Sequence, residues 1–137
     1  MADGFENKLR AAYQAWSDSK GGSIETWLVL MDEGAKFGSL AAGAPQAEFT
    51  APTSGKAGVR AYLDGLTSGW QMIWAHMDEF IVSGDRIVVL GEVCWRNKTT
   101  GRDLTTPKAD VWRHNGGVAT EYFEFYDTAR LQAAASA

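Results

Sequence analysis

The chain has few residues that bind metal or cross-link. It contains one cysteine, Cys94, two histidines and three prolines in 137 residues. A lone thiol excludes an internal disulfide framework and a cysteine-based metal site. His76 and His114, with no third ligand at useful spacing, argue against a metal centre. Basic residues never cluster beyond two neighbours, and the net charge is −4, so the footprint of a nucleic-acid binder is missing. No apolar run approaches the ~20 residues that a membrane-spanning helix needs. The first residues, Met1 to Glu6, are acidic and lack the apolar stretch of a secretory signal. A soluble, cytoplasmic protein with no membrane or nucleic-acid partner is the expectation.

Aromatic residues are in excess: six Trp, six Phe and four Tyr. That exceeds what a core of this size needs, and such an excess lines cavities as well as cores. With 45% apolar and 22% charged residues and no break in composition, one domain over residues 1–137 is expected.

Phe5, Leu9, Ala12, Tyr13 and Trp16 recur at helical spacing and predict an amphipathic helix over 4–19, ended by Gly21-Gly22. Ser23 opens a second helix with Ile24, Trp27, Leu28 and Met31 as its apolar stripe. Asp32-Glu33-Gly34 is expected to stop it, with a short strand over 35–40. Residues 41–54, rich in small residues with two prolines, suit either a flap beside a site or a plain surface insertion. A third helix is expected over 56–68. Beyond Trp70 the period changes to two, giving strands over 71–83, 86–97, 103–114 and 118–127, separated by hairpin turns. Helices followed by an antiparallel meander make the fold class α+β.

The last hairpin carries the chemistry. Alternation puts Lys108, Asp110 and Trp112 on one face of their strand. A three-residue loop at 115–117 sets Asp110 opposite Tyr122 and Lys108 opposite Glu124, all on that face. A two-residue loop instead brings Glu121 and Phe123 there. In an aromatic cavity, Asp110 or Glu124 titrates above its ordinary range and suits acid or base work near neutrality. A structural Lys108–Glu124 pair, with Asp110 bonded to Tyr13, reads the same residues equally well. Trp74 and His76 share a face of the first long strand, where His76 serves either as a base or as a wall residue. Trp27 is a further candidate for the cavity lining.

The chain resembles the nuclear-transport-factor-2-like fold, in its SnoaL-like and ketosteroid-isomerase-related branch. The resemblance rests on Tyr13, the Leu30–Ala35 junction, the helix start Gly55–Arg60, Asp110-Val111-Trp112-Arg113 and the closing Phe125-Tyr126-Asp127. It implies a cone in which three N-terminal helices pack on a strongly curved antiparallel sheet, with a deep pocket between them. Tyr13 then matches the oxyanion tyrosine of the isomerases and Asp110 their protonated aspartate. Ser39 stands where they carry the proton-moving aspartate. The resemblance does not extend to the arginine and two aspartates of limonene-type epoxide hydrolases, because Gly91 and Val93 stand in place of the first two and only Glu124 matches the third. SnoaL-like cyclases point to His76 as an assisting base. The resemblance further implies no metal or organic cofactor, and a homodimer through a sheet face made apolar by Val89, Val93, Trp95, Val111, Phe123 and Phe125.

Three functions follow. The first is proton transfer on a small, apolar, carbonyl-containing molecule, with Tyr13 and Asp110 stabilising the oxyanion and Glu124 or His76 moving the proton. Trp27, Ser39, Trp74, Lys108, Trp112 and Tyr122 would line the pocket. The second is a non-catalytic protein that holds a small ligand in the same pocket. The third is a dimeric interaction protein with a vestigial cavity.

Overall fold

The computed structural model describes residues 4–136, so the acidic start at 1–3 and the last residue of the Ala-rich tail lie outside it. Helix α1 (Gly4–Asp18) buries Phe5, Leu9, Ala12 and Tyr13, the stripe that spacing predicts. It ends where Gly21, at a left-handed φ of 85°, donates its N–H to the Trp16 carbonyl at 3.0 Å. Helix α2 (Ile24–Leu30) buries Trp27, Leu28 and Leu30.

Strand β1 (Met31–Ser39) begins earlier than expected. Asp32-Glu33-Gly34 continues in extended backbone and stays exposed, because the register to its neighbour jumps from Met31↔Ala119 to Lys36↔Glu121. A 3₁₀ helix (Pro45–Thr50) and the two-residue strand β2 (Thr53–Ser54) occupy what the sequence shows only as a loop. Helix α3 (Gly55–Gly69) buries Val59, Tyr62 and Leu63. Strands β3 (Trp70–Ser83), β4 (Arg86–Asn97), β5 (Asp103–Asn115) and β6 (Val118–Tyr126) complete a six-stranded sheet of order β2-β1-β6-β5-β4-β3. Every pairing is antiparallel except β1 with β6, which is parallel, so the sheet is mixed rather than wholly antiparallel. Helix α4 (Thr128–Ala135) was not expected at all. Asp127 caps it by accepting from the Arg130 N–H at 3.0 Å, and Leu131 and Ala134 are its buried side chains.

Bulges decide which residues face the helices. In β3 the register to β4 slips at Ile73 and again at Asp78. Each slip reverses the alternation, so Met72, Ala75, Met77 and Phe80 all reach the inner side. Trp74 and His76 are thereby turned to the outer face, against the expectation that they line the pocket. Strand β4 runs without a slip against β5, which puts Ile87, Val89, Val93 and Trp95 inside. Of the residues expected on the outer face, Val89, Val93 and Trp95 are therefore core, and Val111, Phe123 and Phe125 lie outside. The β5–β6 turn has two residues, Gly116 and Gly117, both with positive φ. A bulge at Thr120 restores the parity of a three-residue loop. The register is nevertheless shifted by two, setting Asp110 opposite Glu124, Trp112 opposite Tyr122 and Lys108 opposite Tyr126.

No helix among the described residues is long and apolar enough to cross a membrane.

At Gly91, β4 packs directly against the backbone of the twice-bulged β3. A Cβ there would lie 1.9 Å from the His76 carbonyl oxygen, so a side chain would collide with backbone rather than fill the cavity. Gly91→Ala is expected to cost about 3 kcal/mol, read by denaturant unfolding. A loss of only a few tenths would contradict the close approach.

Candidate functional site

The inner face of the sheet and the helices above it enclose a cavity of about 100 Å³. One end is largely apolar, walled by Trp70, Val93, Trp95, Leu104 and Leu131 with Thr106 among them. The other end carries the charges, all on β5 and β6, with two tyrosines from helices as neutral donors beside them. Tyr13 of α1 donates its hydroxyl proton to Asp110 Oδ2, and the Trp112 indole N–H donates to the Tyr13 oxygen at 2.9 Å. Lys108 Nζ sits between two carboxylates, 2.8 Å from Glu124 Oε2 and 3.2 Å from Asp110 Oδ1. Its directed bond to Asp110 goes to Oδ2 at 3.4 Å, so buried Oδ1 accepts from no donor. Glu124 has no such vacancy. Its Oε1 accepts from Tyr62 of α3, and its Oε2 accepts from Tyr122 at 2.8 Å as well as from Lys108.

Ten sequence candidates can be placed. Tyr13, Lys108, Asp110, Trp112, Tyr122 and Glu124 come together, and Trp27 joins them by stacking on Trp112 with centroids 5.7 Å apart. Ser39 is buried behind the wall, its hydroxyl 2.5 Å from that of Tyr126, which does line the cavity. Trp74 and His76 stack on each other at 5.1 Å on the outer face, remote from the cavity lining. Tyr62 was missed as a site residue. On the apolar stripe of α3 nothing in the sequence distinguishes it from a core tyrosine. Among the described residues, no group of three or more His, Cys, Asp and Glu gathers as metal ligands would.

The model of the SnoaL-like domain family matches residues 9–122. This chain belongs to that family. No curated protein matches it in sequence. Among solved structures, an NTF2-like protein of unknown function from Burkholderia pseudomallei K96243 superposes with a TM-score of 0.87 at 24% identity, covering 99% of this chain and 100% of that one. TerC, co-crystallised with polyporic acid, gives 0.80 at 22% identity over 98% and 100% of the two chains. A protein of ketosteroid isomerase-like fold from Catenulispora acidiphila, in complex with trimethylamine, gives 0.73 at 14% identity over 90% of each. At these identities the likeness shows the fold.

In this SnoaL-like site the two carboxyls part company. Burial pushes the Asp110 carboxyl above its ordinary range. Lys108 and the Tyr13 donor draw it back only in part, and the Glu124 charge across the strand pair pushes it up further. Glu124 is buried too, but Lys108 with the Tyr62 and Tyr122 donors outweighs that and holds it below its ordinary range. Burial alone would lower Lys108, yet Asp110 and Glu124 keep its ammonium above the usual lysine range. Burial and the neighbouring carboxylates raise Tyr13, Tyr62 and Tyr122, while burial and Glu124 push Tyr126 up to about 12. All four tyrosines are therefore proton donors at neutral pH. The Lys108 ammonium has only three N–H groups, already directed at Glu124, Asp110 and Tyr122, so it holds the carboxylates rather than a ligand.

The pH dependence of stability follows from these directions. Glu124, with a lowered pKa, stabilises the fold above its unfolded pKa, and this is lost as pH falls. Asp110, with a raised pKa, favours the fold most below its unfolded pKa, and this fades as pH rises through the folded value. Lys108→Met is expected to raise both carboxyls and to cost about 3–5 kcal/mol at pH 7, because it leaves buried charge unpaired. Carboxyl-carbon NMR and denaturation at several pH values measure both. Wild-type Asp110 and Glu124 titrating together near ~4 would refute the split.

Proposed function

We propose that this SnoaL-like protein is an acid–base enzyme that moves a proton on a small, apolar, carbonyl-containing molecule, with Asp110 as the group that carries the proton. What supports this most directly is Asp110, a buried carboxyl of the cavity lining whose Oδ1 takes no directed hydrogen bond and meets only the Lys108 charge at 3.2 Å. Glu124, with both oxygens filled and its basicity lowered, is a poor base. His76 lies on the other side of the sheet. Asp110, whose charge is disfavoured, is matched to taking up and releasing a proton nearer neutrality.

In the proposed cycle, ionised Asp110 takes a proton from the carbon beside the substrate carbonyl. The electron pair of that C–H bond becomes the carbon–carbon double bond of an enolate, and the carbonyl π pair moves onto the oxygen. A protonated carboxyl is a weaker acceptor, so Tyr13 turns its hydroxyl from Asp110 to the new oxyanion while Trp112 keeps its grip on the Tyr13 oxygen. Asp110 then returns the proton to the same or a conjugated carbon. This chemistry calls for neither a metal nor an organic cofactor. A second reading, a binding module without catalysis, is favoured by Ser39 standing where the related isomerases carry an aspartate.

Exchange of the α-hydrogens of 2-tetralone in D₂O, followed by NMR, separates the two. Wild type is expected to accelerate exchange, Asp110→Asn to slow it by about 10²–10⁴-fold, and His76→Ala to leave it unchanged. Tetralone bound without exchange would favour the binding module, and Asp110→Asn exchanging like wild type would sink the proposed role.

The same proposal includes a homodimer through the outer sheet face. Ile81, Phe123 and Phe125 are exposed there, with Phe123 and Phe125 packed 4.9 Å apart. Lys36, Arg86 and Arg113 flank one end of this apolar strip with Glu121 between Arg113 and Lys36, while Glu79 lies beside the strip and Glu92 beyond its other end. Phe125→Glu is expected to shift sedimentation from dimer to monomer. A monomeric wild type would overturn this part.

A further inference from the structure

We infer that residues 42–51 form a hatch over the cavity, latched by Phe49, and that ligands enter when the segment lifts as one piece and withdraws the Phe49 ring from its seat on α3. The proposed chemistry does not use this segment. Its architecture is that of a small rigid body held to the rest of the fold by packing.

Among the described residues, the hydrogen bonds of residues 42–51 all stay within residues 39–51. Ala42 N donates to the Ser39 carbonyl, Ala44 N to that of Ala41, Ala47 N to that of Ala44 and Ala51 N to that of Glu48. Gly43 N donates to Thr50 Oγ1 at 2.9 Å, and that hydroxyl donates to the Ala47 carbonyl at 2.5 Å. The bonds of Gly43, Ala47, Thr50 and Ala51 tie the segment to itself and would survive its movement, whereas the Ala44 bond to the Ala41 carbonyl spans the turn at 42–43 and opens with it. Helix α4, the other cover of the cavity, is different. There Thr100 Oγ1 donates to the Ala134 carbonyl at 2.6 Å and Arg130 donates to the Thr105 carbonyl at 2.9 Å, fixing the helix to the sheet.

The hatch touches the body through Ala47 and Thr50, which are buried, and Phe49, which is half-buried; Phe49 and Thr50 line the cavity. Phe49 meets Tyr62 edge-on with centroids 5.5 Å apart. It can sit this close to α3 because position 65 is glycine: a Cβ there would be 2.5 Å from the Phe49 Cβ. Half-buried Leu66 lines the cavity beside it, so the lining reaches the surface here. Hinges are available at both ends. Ala42 and Gly43 have φ of 49° and 81° on one side, and Pro52 precedes Gly55, at 77°, on the other. The two ends stay together because β1 and β2 pair at Phe37↔Thr53 and Lys36↔Ser54.

The test is stopped-flow uptake of 2-naphthol, followed by tryptophan quenching. Gly65→Ala displaces the latch and Phe49→Ala removes it. Each is expected to raise both association and dissociation rates by about tenfold or more, with a smaller change in their ratio. If Gly65→Ala does not fold, Phe49→Ala decides alone. Unchanged rates would overturn the inference, as would a failure of wild type and variants alike to take up naphthol. The readout is entry and exit, so it stands or falls separately from whether Asp110 moves a proton.

Discussion

An ammonium inside an aromatic cavity needs negative charge within hydrogen-bonding reach, because desolvating it unpaired costs several kcal/mol. Lys108 finds two carboxylates, Glu124 and Asp110, directly opposite each other on neighbouring strands. One positive charge cannot satisfy both equally. Tyr62 and Tyr122 side with Glu124, and Asp110 is left with the less favourable share. The difference between the two carboxyls is thus a consequence of how donors are distributed around one lysine. It needs no feature peculiar to Asp110 beyond its neighbours.

That distribution depends on register, and register explains what the sequence made legible. Hairpin alternation correctly grouped Lys108, Asp110 and Trp112, because β5 pairs with β4 without a slip. The same rule failed on β3, where Ile73 and Asp78 are bulged. A bulge leaves no signature in a period-two pattern except a local loss of alternation, and β3 is apolar enough on both faces to hide it. His76 and Trp74 were therefore assigned to the wrong side. In the last hairpin two departures cancelled: the turn is one residue shorter than the reading that placed Glu124 inside, and Thr120 adds the residue back. The face came out right and the partners wrong by two positions.

Helix α4 and the 3₁₀ helix were unread for a different reason. Half of the α4 residues are alanine, whose hydrophobic periodicity is weak, and the six-residue 3₁₀ helix is too short to show a period at all. Asp127 capping Arg130 was the available signal for α4, and it was overshadowed by the strand before it. The apolar stripe of α3 was legible, but the hydroxyl of Tyr62 was not. Whether a stripe tyrosine points at a carboxylate depends on a strand more than fifty residues away.

The two ends of the cavity differ in how firmly they are held, and this bears on what the protein can select. At the polar end the donors around Lys108 and Glu124 are matched one to one with acceptors, so displacing any of them exposes a buried polar atom at a cost of about 1–3 kcal/mol. On the proposed function, a ligand oxygen would meet Asp110 and Tyr13 in a geometry the protein already sets. At the far end the walls are largely apolar, and one cover is held to the body by the packing of Ala47, Phe49 and Thr50 rather than by hydrogen bonds. That end can yield to ligands of different size at little cost. Discrimination by polar group should then be sharp and discrimination by apolar bulk loose. This asymmetry follows from hydrogen bonds being directional and apolar packing being adaptable. Tyr62 is where the two ends meet, since the ring that seats Phe49 carries the hydroxyl that Glu124 accepts from.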